Sequence, residues 1–136
     1  MAVIIKTPEE IQILREGGAR LAGILAKVAD MVKPGISTAD LDAYAYKLIK
    51  DGGDEPAFLN YKPEGQSKAY PASLCTSLNN EVVHGIPSPN KVLKEGDIIS
   101  IDLGLRPGRI DISRFSNDNL RVQIQENVRE RDVFVV

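Results

Sequence analysis

The sequence predicts an α+β fold in which two N-terminal helices pack on a mainly antiparallel sheet. Residues 7–52 carry two apolar stripes with a helical period, and the residues after 70 carry short alternating or apolar runs between turn residues. With 136 residues, 43% of them hydrophobic, the chain is long enough to bury one modest core. We therefore expect one globular unit that begins with helices and continues with strands.

The first helix is predicted to begin after Thr7 and to end at Lys33-Pro34-Gly35. Thr7-Pro8-Glu9-Glu10 has the spacing of a capping box, with proline at the first helical position. Proline and glycine after residue 33 are typical of a helix end. The apolar positions recur near every 3.6 residues, at Ile11, Leu14, Leu21, Leu25, Val28 and Val32.

The second helix is predicted to follow directly and to stop at Gly52-Gly53. Ser37-Thr38-Ala39-Asp40 repeats the capping-box pattern. A glycine just beyond the last periodic residue is a frequent helix end. The expected buried stripe consists of Leu41, Ala45, Leu48 and Ile49.

Strands are predicted after a turn-rich connector at 54–65. Ser73–Leu78 and Glu81–His84 resemble the two strands of a hairpin around Asn79-Asn80, a pair that tolerates the positive φ of a tight turn. Asp97–Leu105 alternates side chains between two faces and places Asp102 on a strand.

The tail continues the strand pattern beyond residue 105. We expect strands at Ile110–Arg114, Leu120–Gln125 and Asp132–Val136, which add to the C-terminal side of the sheet. The last of these is apolar and lies at the end of the given sequence. An apolar edge strand exposes unpaired backbone groups. We therefore expect either that the chain is truncated or that it self-associates through this strand.

Net charge, apolar runs and cysteine content indicate the kind of partner and the cell compartment. The net charge of −2 offers no basic footprint for nucleic acid or an anionic membrane, so we expect small ligands or proteins as partners. The apolar runs are too short to span a membrane, and the N-terminus lacks the pattern of a signal peptide. Cys75 is the single cysteine, which fits the reducing cytoplasm.

Two residues are candidates for chemistry on their pattern alone. His84 leaves a predicted strand into a Gly-Ile-Pro turn, where an imidazole can face a cleft or be satisfied by local hydrogen bonds. Asp102 lies among Ile98, Ile99, Ile101 and Leu103. It is either a buried carboxylate that needs a cation, donors or a metal, or a residue on a solvated face of its strand.

Residues 1 to about 105 resemble the N-terminal half of a type I methionine aminopeptidase. The resemblance lies in TPEEIQILREGGARLA, PAFLNYKPEG, YPASLCTSLNNEVVHGIPS and LKEGDIISIDLGL. It implies half of a pita-bread fold, removal of N-terminal methionine from nascent proteins, and a divalent metal cofactor (Mn, Fe, Co or Zn). It also implies that Asp102 is a metal ligand, that His84 is catalytic, and that Tyr70 and Cys75 line the methionine pocket. Ordinary packing remains the alternative for Tyr70 and Cys75.

The sequence departs from that family after Leu105. Ser113 stands where the family has its second metal-binding aspartate, and Asp111 is a displaced candidate for that role. The family's metal-binding histidine and two glutamates are absent, and His84 is the only histidine. Because two-metal hydrolysis needs several fixed ligands, we expect no efficient peptidase activity from this chain alone.

The tail from about 104 to 136 resembles an early segment of ribose-phosphate diphosphokinase, which implies a nucleotide contact at Phe115 and Asn117. For Phe115, core packing is the alternative. The sequence thus predicts an aminopeptidase-like part at 1–105 and a strand-rich tail at 106–136, and a chimaera joined at Leu103-Gly104-Leu105 is the simplest account of both. Three hypotheses follow: an aminopeptidase with an incomplete site, a nucleotide-binding or interface fragment, and a non-catalytic recombined domain.

Overall fold

The computed structural model describes residues 5–108, and the backbone alone of two further segments at 122–129 and 132–135. The described residues form two helices and five strands in chain order, which confirms the predicted α+β class. They are α1 (Pro8–Asp30), α2 (Thr38–Asp51), β1 (Glu55–Pro56), β2 (Leu74–Leu78), β3 (Ile99–Arg106), β4 (Val122–Arg129) and β5 (Asp132–Val135).

Both helices begin at the predicted capping boxes. The Glu10 N–H donates to Thr7 Oγ1 at 3.2 Å, and the Thr7 N–H donates to the Glu10 carboxylate at 2.8 Å. At the start of α2, the Asp40 N–H donates to Ser37 Oγ at 3.2 Å, and the Ser37 N–H donates to the Asp40 carboxylate at 2.9 Å. Each box satisfies backbone donors that a helix leaves without an internal partner.

The buried stripe of α2 follows the prediction, with Leu48 only partly buried. The stripe of α1 differs at three positions, because Ile11 is exposed, Leu14 is partly buried, and Val32 lies beyond the helix, which ends at Asp30 and not at Lys33-Pro34-Gly35. Leu41, Ala45 and Ile49 of α2 are completely buried. In α1, Ile13 occupies the inner face and Ile11 is 46% exposed. Ile13, Gly17 and Leu21 lie at four-residue intervals on the side that meets the sheet, and Ile11 lies off that line.

The five described strands pair antiparallel, with β3 at the centre of the sheet. β1 and β2 pair with one edge of β3, β4 pairs with its other edge, and β5 pairs with β4. The odd-numbered residues Ile99, Ile101, Leu103 and Leu105 of β3 are buried against the helices. Two of the predicted C-terminal strands join the sheet, as β4 and β5, although β4 ends four residues later than predicted. The predicted strand Ile110–Arg114 lies outside the described residues.

The predicted hairpin around Asn79-Asn80 is wrong. Residues 81–84 form no strand, and β2 pairs instead with β3 across a long connection at 79–98. Asn79 does adopt a positive φ of 54°, but its N–H donates to the carbonyl of Ile98, at 2.8 Å, next to β3. The side chain of Glu81 accepts from the Leu78 N–H at 2.9 Å and so ends β2.

The strand β1 was not predicted. It covers only two residues inside the expected connector, and its Pro56 pairs with Leu105 of β3. A run this short shows no alternation in sequence. Neither helix in the described residues is long and apolar enough to cross a lipid bilayer.

Candidate active site

The pairing of β2 with β3 determines which side chains face the candidate site. Cys75 and Asp102 are directly opposite each other in the register, so their side chains lie on the same face of the sheet. That face is turned away from the helices, because Ile101 and Leu103 beside Asp102 are fully buried on the helix side. Asp102 is thus partly buried at the sheet surface and lies outside the hydrophobic core.

A cavity of about 590 Å³ covers this part of the sheet. Four residues singled out from the sequence line it together, namely Tyr70, Cys75, His84 and Asp102. Much of the remaining wall is aromatic or aliphatic, including Phe58, Tyr61 and Ile86. A largely apolar cavity with a few polar groups is the usual form of a small-ligand site.

Tyr70 connects the wall of the cavity to two backbone segments. Its hydroxyl donates a hydrogen bond shared between the carbonyl oxygens of Leu74, at 3.0 Å, and Gly85, at 3.2 Å. Its ring packs edge to face against Phe58, with 6.4 Å between centroids. Burial, with a smaller contribution from the Cys75 side chain, raises the pKa of the Tyr70 hydroxyl, which therefore stays protonated and able to donate.

His84 reaches the cavity from a loop. Its φ is +56°, a left-handed conformation that non-glycine residues adopt seldom. The following residue, Gly85, is buried and donates from its N–H to Ser77 Oγ at 3.2 Å. The imidazole itself is exposed, so the backbone rather than side-chain packing sets its place.

Cys75 is a free, buried thiol at the base of the cavity. Burial raises the pKa of this thiol, and the neighbouring charge of Asp102 adds to that rise, whereas the hydrogen bond with Tyr70 opposes it. A thiolate, the reactive form, is therefore disfavoured at neutral pH.

This environment leads to a measurable expectation for Cys75. We expect iodoacetamide to alkylate it at least about tenfold more slowly in the folded chain than in urea, because the thiol is buried and protonated. The folded-state rate should still be rising above pH 8.5, about the ordinary cysteine pKa. A folded-state rate equal to the rate in urea, or one that levels off below that pH, would contradict the assignment.

Asp42 supports the start of β2 from helix α2. Its Oδ1 accepts from the N–H of Ser73, at 2.7 Å, and of Leu74, at 3.1 Å. Burial raises the pKa of the Asp42 carboxyl, and these two hydrogen bonds only partly offset that effect. The sequence does not single out Asp42, because nothing in the helical pattern marks a residue that bonds to a distant strand.

The raised pKa of Asp42 predicts a sign for the pH dependence of stability. As pH rises above about 4, the unfolded carboxyl loses its proton before the folded one, so Asp42 lowers the free energy of unfolding progressively. The amide of an Asp42→Asn variant keeps an acceptor oxygen and does not titrate. Urea denaturation from pH 3 to 7 should show the variant gaining stability relative to wild type as pH rises. A constant or falling difference would contradict this.

The described residues do not by themselves form a metal site. No group of three His, Cys, Asp or Glu side chains close enough to share an ion occurs within the described ranges. Asp102 is the carboxylate that lines the cavity there. The predicted second ligand Asp111 and the predicted nucleotide contacts Phe115 and Asn117 lie outside the described residues.

Known proteins resemble this chain over most of its length. It is 48% identical over 104 residues to a methionine aminopeptidase of Aquifex aeolicus, covering 76% of this chain and 40% of that protein. Methionine aminopeptidase 1 of Bacillus subtilis is 44% identical over 104 residues, with 76% and 39% covered. The crystal structure of a methionine aminopeptidase from Thermotoga maritima superposes with a TM-score of 0.74 at 30% identity, covering 99% of this chain and 45% of that one.

These matches test the two resemblances drawn from the sequence. The chain spans about two fifths of the length of the curated relatives named here. Its helices and antiparallel sheet form part of a pita-bread fold, as the structural match shows. The matches found do not support the diphosphokinase resemblance of the tail. Residues 12–116, which extend past the predicted join at Leu103-Gly104-Leu105, match the profile of metallopeptidase family M24. The chain therefore belongs to metallopeptidase family M24, whose members depend on divalent metal ions.

Proposed function

We propose that residues 5–108 form the substrate-recognition part of a methionine aminopeptidase site. One observation carries this proposal: the four residues that the sequence pattern and the family resemblance single out, at 70, 75, 84 and 102, line one cavity. The cavity places aromatic rings and a thiol where the flexible thioether of a methionine side chain packs well. Peptides with an N-terminal methionine are thus the proposed ligands.

Each residue has a proposed role that follows from its position. Tyr70 and Cys75, at the wall and the base of the cavity, contact the methionine side chain. His84, exposed at the mouth, hydrogen-bonds the peptide group that follows the methionine. Asp102 lies on the same face as Cys75 and supplies one carboxylate to a metal ion. All four assignments are proposals.

Hydrolysis needs more than these four residues, because the described part of the chain lacks the further ligands that a pair of metal ions requires. We propose accordingly that the described residues bind the substrate without a complete hydrolytic centre. The division into parts at 1–105 and 106–136 and a cytoplasmic location belong to the same proposal.

A binding and turnover experiment tests this function. A methionine-initiated tripeptide should slow the alkylation of Cys75, whereas a lysine-initiated tripeptide of otherwise identical sequence should not. With Mn²⁺, Fe²⁺ or Co²⁺ supplied, turnover of the first peptide should not exceed that of the His84→Ala and Asp102→Ala variants. Asp51→Ala serves as the matched control for Asp102→Ala, because the Asp51 carboxylate is exposed and pairs only with Lys47 among the described residues.

The outcomes distinguish the competing hypotheses. Absence of protection by the methionine peptide would overturn the proposed binding site. Turnover that both substitutions abolish, but Asp51→Ala leaves intact, would show that a working metal centre forms after all. ATP binding without peptide binding would favour the diphosphokinase-type alternative at Phe115 and Asn117. A cooperatively folded chain that binds neither ligand would favour a non-catalytic domain.

A further inference from the structure

Gly85, the residue that follows His84, is held by hydrogen bonds at both its N–H and its carbonyl group. The Gly85 N–H donates to Ser77 Oγ at 3.2 Å, and the Gly85 carbonyl accepts from the Thr76 N–H at 2.8 Å. The Tyr70 hydroxyl reaches the same carbonyl at 3.2 Å. A short stretch of β2, together with Tyr70, therefore fixes one residue of an otherwise strand-free loop.

The hydrogen bond from the Gly85 N–H acts directly on the conformation of His84. The Gly85 N–H belongs to the peptide plane after His84, so the bond to Ser77 restricts the ψ angle of His84. The φ of +56° is a left-handed conformation that persists only where the surrounding structure enforces it. Since the His84 side chain is exposed, packing around the ring does not supply that restraint.

We propose that Ser77 is a positioning residue for His84. By accepting from the Gly85 N–H, the Ser77 hydroxyl holds His84 in its left-handed conformation and thereby keeps the imidazole at the cavity. Ser77 is 5% exposed and faces the same side of the sheet as Cys75 and Asp102. The importance of this orientation for a bound peptide rests on the proposed function, whereas the orientation itself can be measured without any ligand.

The neighbouring residue provides a matched control. Thr76 is fully buried on the opposite, helix-facing side of β2, and no other described residue offers its hydroxyl a hydrogen bond. Thr76→Val removes a buried hydroxyl from the same strand without removing a hydrogen bond to the loop. If Ser77 acted only as a buried polar residue of β2, both substitutions would affect His84 alike.

The experiment is NMR on the full chain, in which His84 gives the only imidazole signals. Ser77→Ala should increase the hydrogen-exchange rate of the Gly85 amide by roughly tenfold, the change expected when a hydrogen bond of ordinary strength is lost. It should also shift or broaden the ring signals of His84. Thr76→Val should leave the exchange rate of the Gly85 amide within about twofold of wild type and the ring signals of His84 unchanged. Ser77→Thr, which keeps a hydroxyl, should restore the wild-type pattern.

Two results would overturn the proposal. One is a Gly85 exchange rate and a His84 ring spectrum that Ser77→Ala leaves unchanged. The other is a change in the Gly85 exchange rate and the His84 ring spectrum that is as large in Thr76→Val as in Ser77→Ala. Should Ser77→Ala fail to fold, Ser77→Cys, which replaces the hydroxyl with a weaker acceptor, must raise the exchange rate of the same Gly85 amide for the proposal to stand. None of these readouts involves peptide binding or cleavage, so failure of the proposed function leaves them interpretable.

Discussion

Replacing Arg20 with alanine is expected to lower the free energy of unfolding by about 3–5 kcal/mol, the usual cost of leaving a buried charge without its partner. Arg20 of α1 binds Asp54 in a two-pronged ion pair, with Nε to Oδ2 at 2.7 Å and Nη2 to Oδ1 at 2.9 Å. The Asp54 side chain is completely buried, whereas that of Arg20 keeps 31% of its surface exposed. The loss of Arg20 therefore leaves a desolvated carboxylate.

This ion pair joins three parts of the fold. Asp54 follows α2, its partner lies on α1, and its Oδ1 also accepts from the N–H of Gly108 at 3.1 Å, just beyond β3. The pair thus connects both helices to the end of the central strand. A loss of this size is a large part of the total stability of a small domain.

Arg15→Ala is the matched control for this expectation. Arg15 lies on the same helix, but within the described part of the chain its guanidinium hydrogen-bonds only to Gln12, at 3.1 Å and in an exposed position. Its replacement should change stability by no more than about 0.5 kcal/mol. The loss of stability in Arg20→Lys should lie between those of Arg15→Ala and Arg20→Ala, because an ammonium group keeps the charge but does not reproduce the bidentate geometry. Urea denaturation of the three variants measures these changes in the free energy of unfolding. Equal losses in Arg15→Ala and Arg20→Ala would refute the stabilising role of the Arg20–Asp54 ion pair.

Gly85→Ala is expected to cost about 3 kcal/mol and to displace the loop that carries His84. A Cβ at position 85 would lie 2.0 Å from the carbonyl oxygen of Thr76 and 2.7 Å from its carbonyl carbon. Both are backbone atoms of β2, which is held in register against β3 at Thr76 and Ile101. Neither can rotate aside as a flexible side chain would, so the loop or the strand must move.

Gly23→Ala is the control for that substitution. Gly23 is an exposed residue of α1, and a Cβ there would meet no atom within 4 Å. Alanine should therefore stabilise the helix by about 0.5–1 kcal/mol, since it loses less backbone entropy on folding. Thermal and urea denaturation of both variants, with the His84 ring spectrum recorded beside them, provide the comparison. An alanine at 85 that leaves stability and spectrum unchanged would show that the close approach to Thr76 is not maintained.

Local features of this fold could be predicted because their physical causes lie within a few residues of sequence. The capping boxes at Thr7 and Ser37 need only a side chain and a backbone N–H three residues apart. The alternation around Asp102 likewise correctly predicted a strand, because strand side chains alternate between faces with a period of two.

Predictions failed where the outcome depends on a distant partner. Residues 81–84 have a sequence suited to a strand, but β2 pairs with the distant β3, and the backbone N–H of Thr76 in β2 donates to the carbonyl of Gly85, just beyond these residues. Phe58 and Tyr61 line the cavity, and their only signal was their place in the stretch that resembles a known family. Ser77 and Asp42 act through backbone groups of other segments, which no local pattern reveals.

The sequence by itself determined the α+β class, the two capped helices, the strand that bears Asp102 and the four residues that resemble a peptidase site. Only the tertiary structure decided that those four residues share one cavity, that Asp102 faces away from the core, and that Gly85 is held against β2. The physical reason is the distance in sequence between the residues that determine each feature. Helix caps and strand alternation arise from contacts within one turn or one pleat, whereas a cavity arises from the register between strands that are far apart in the chain.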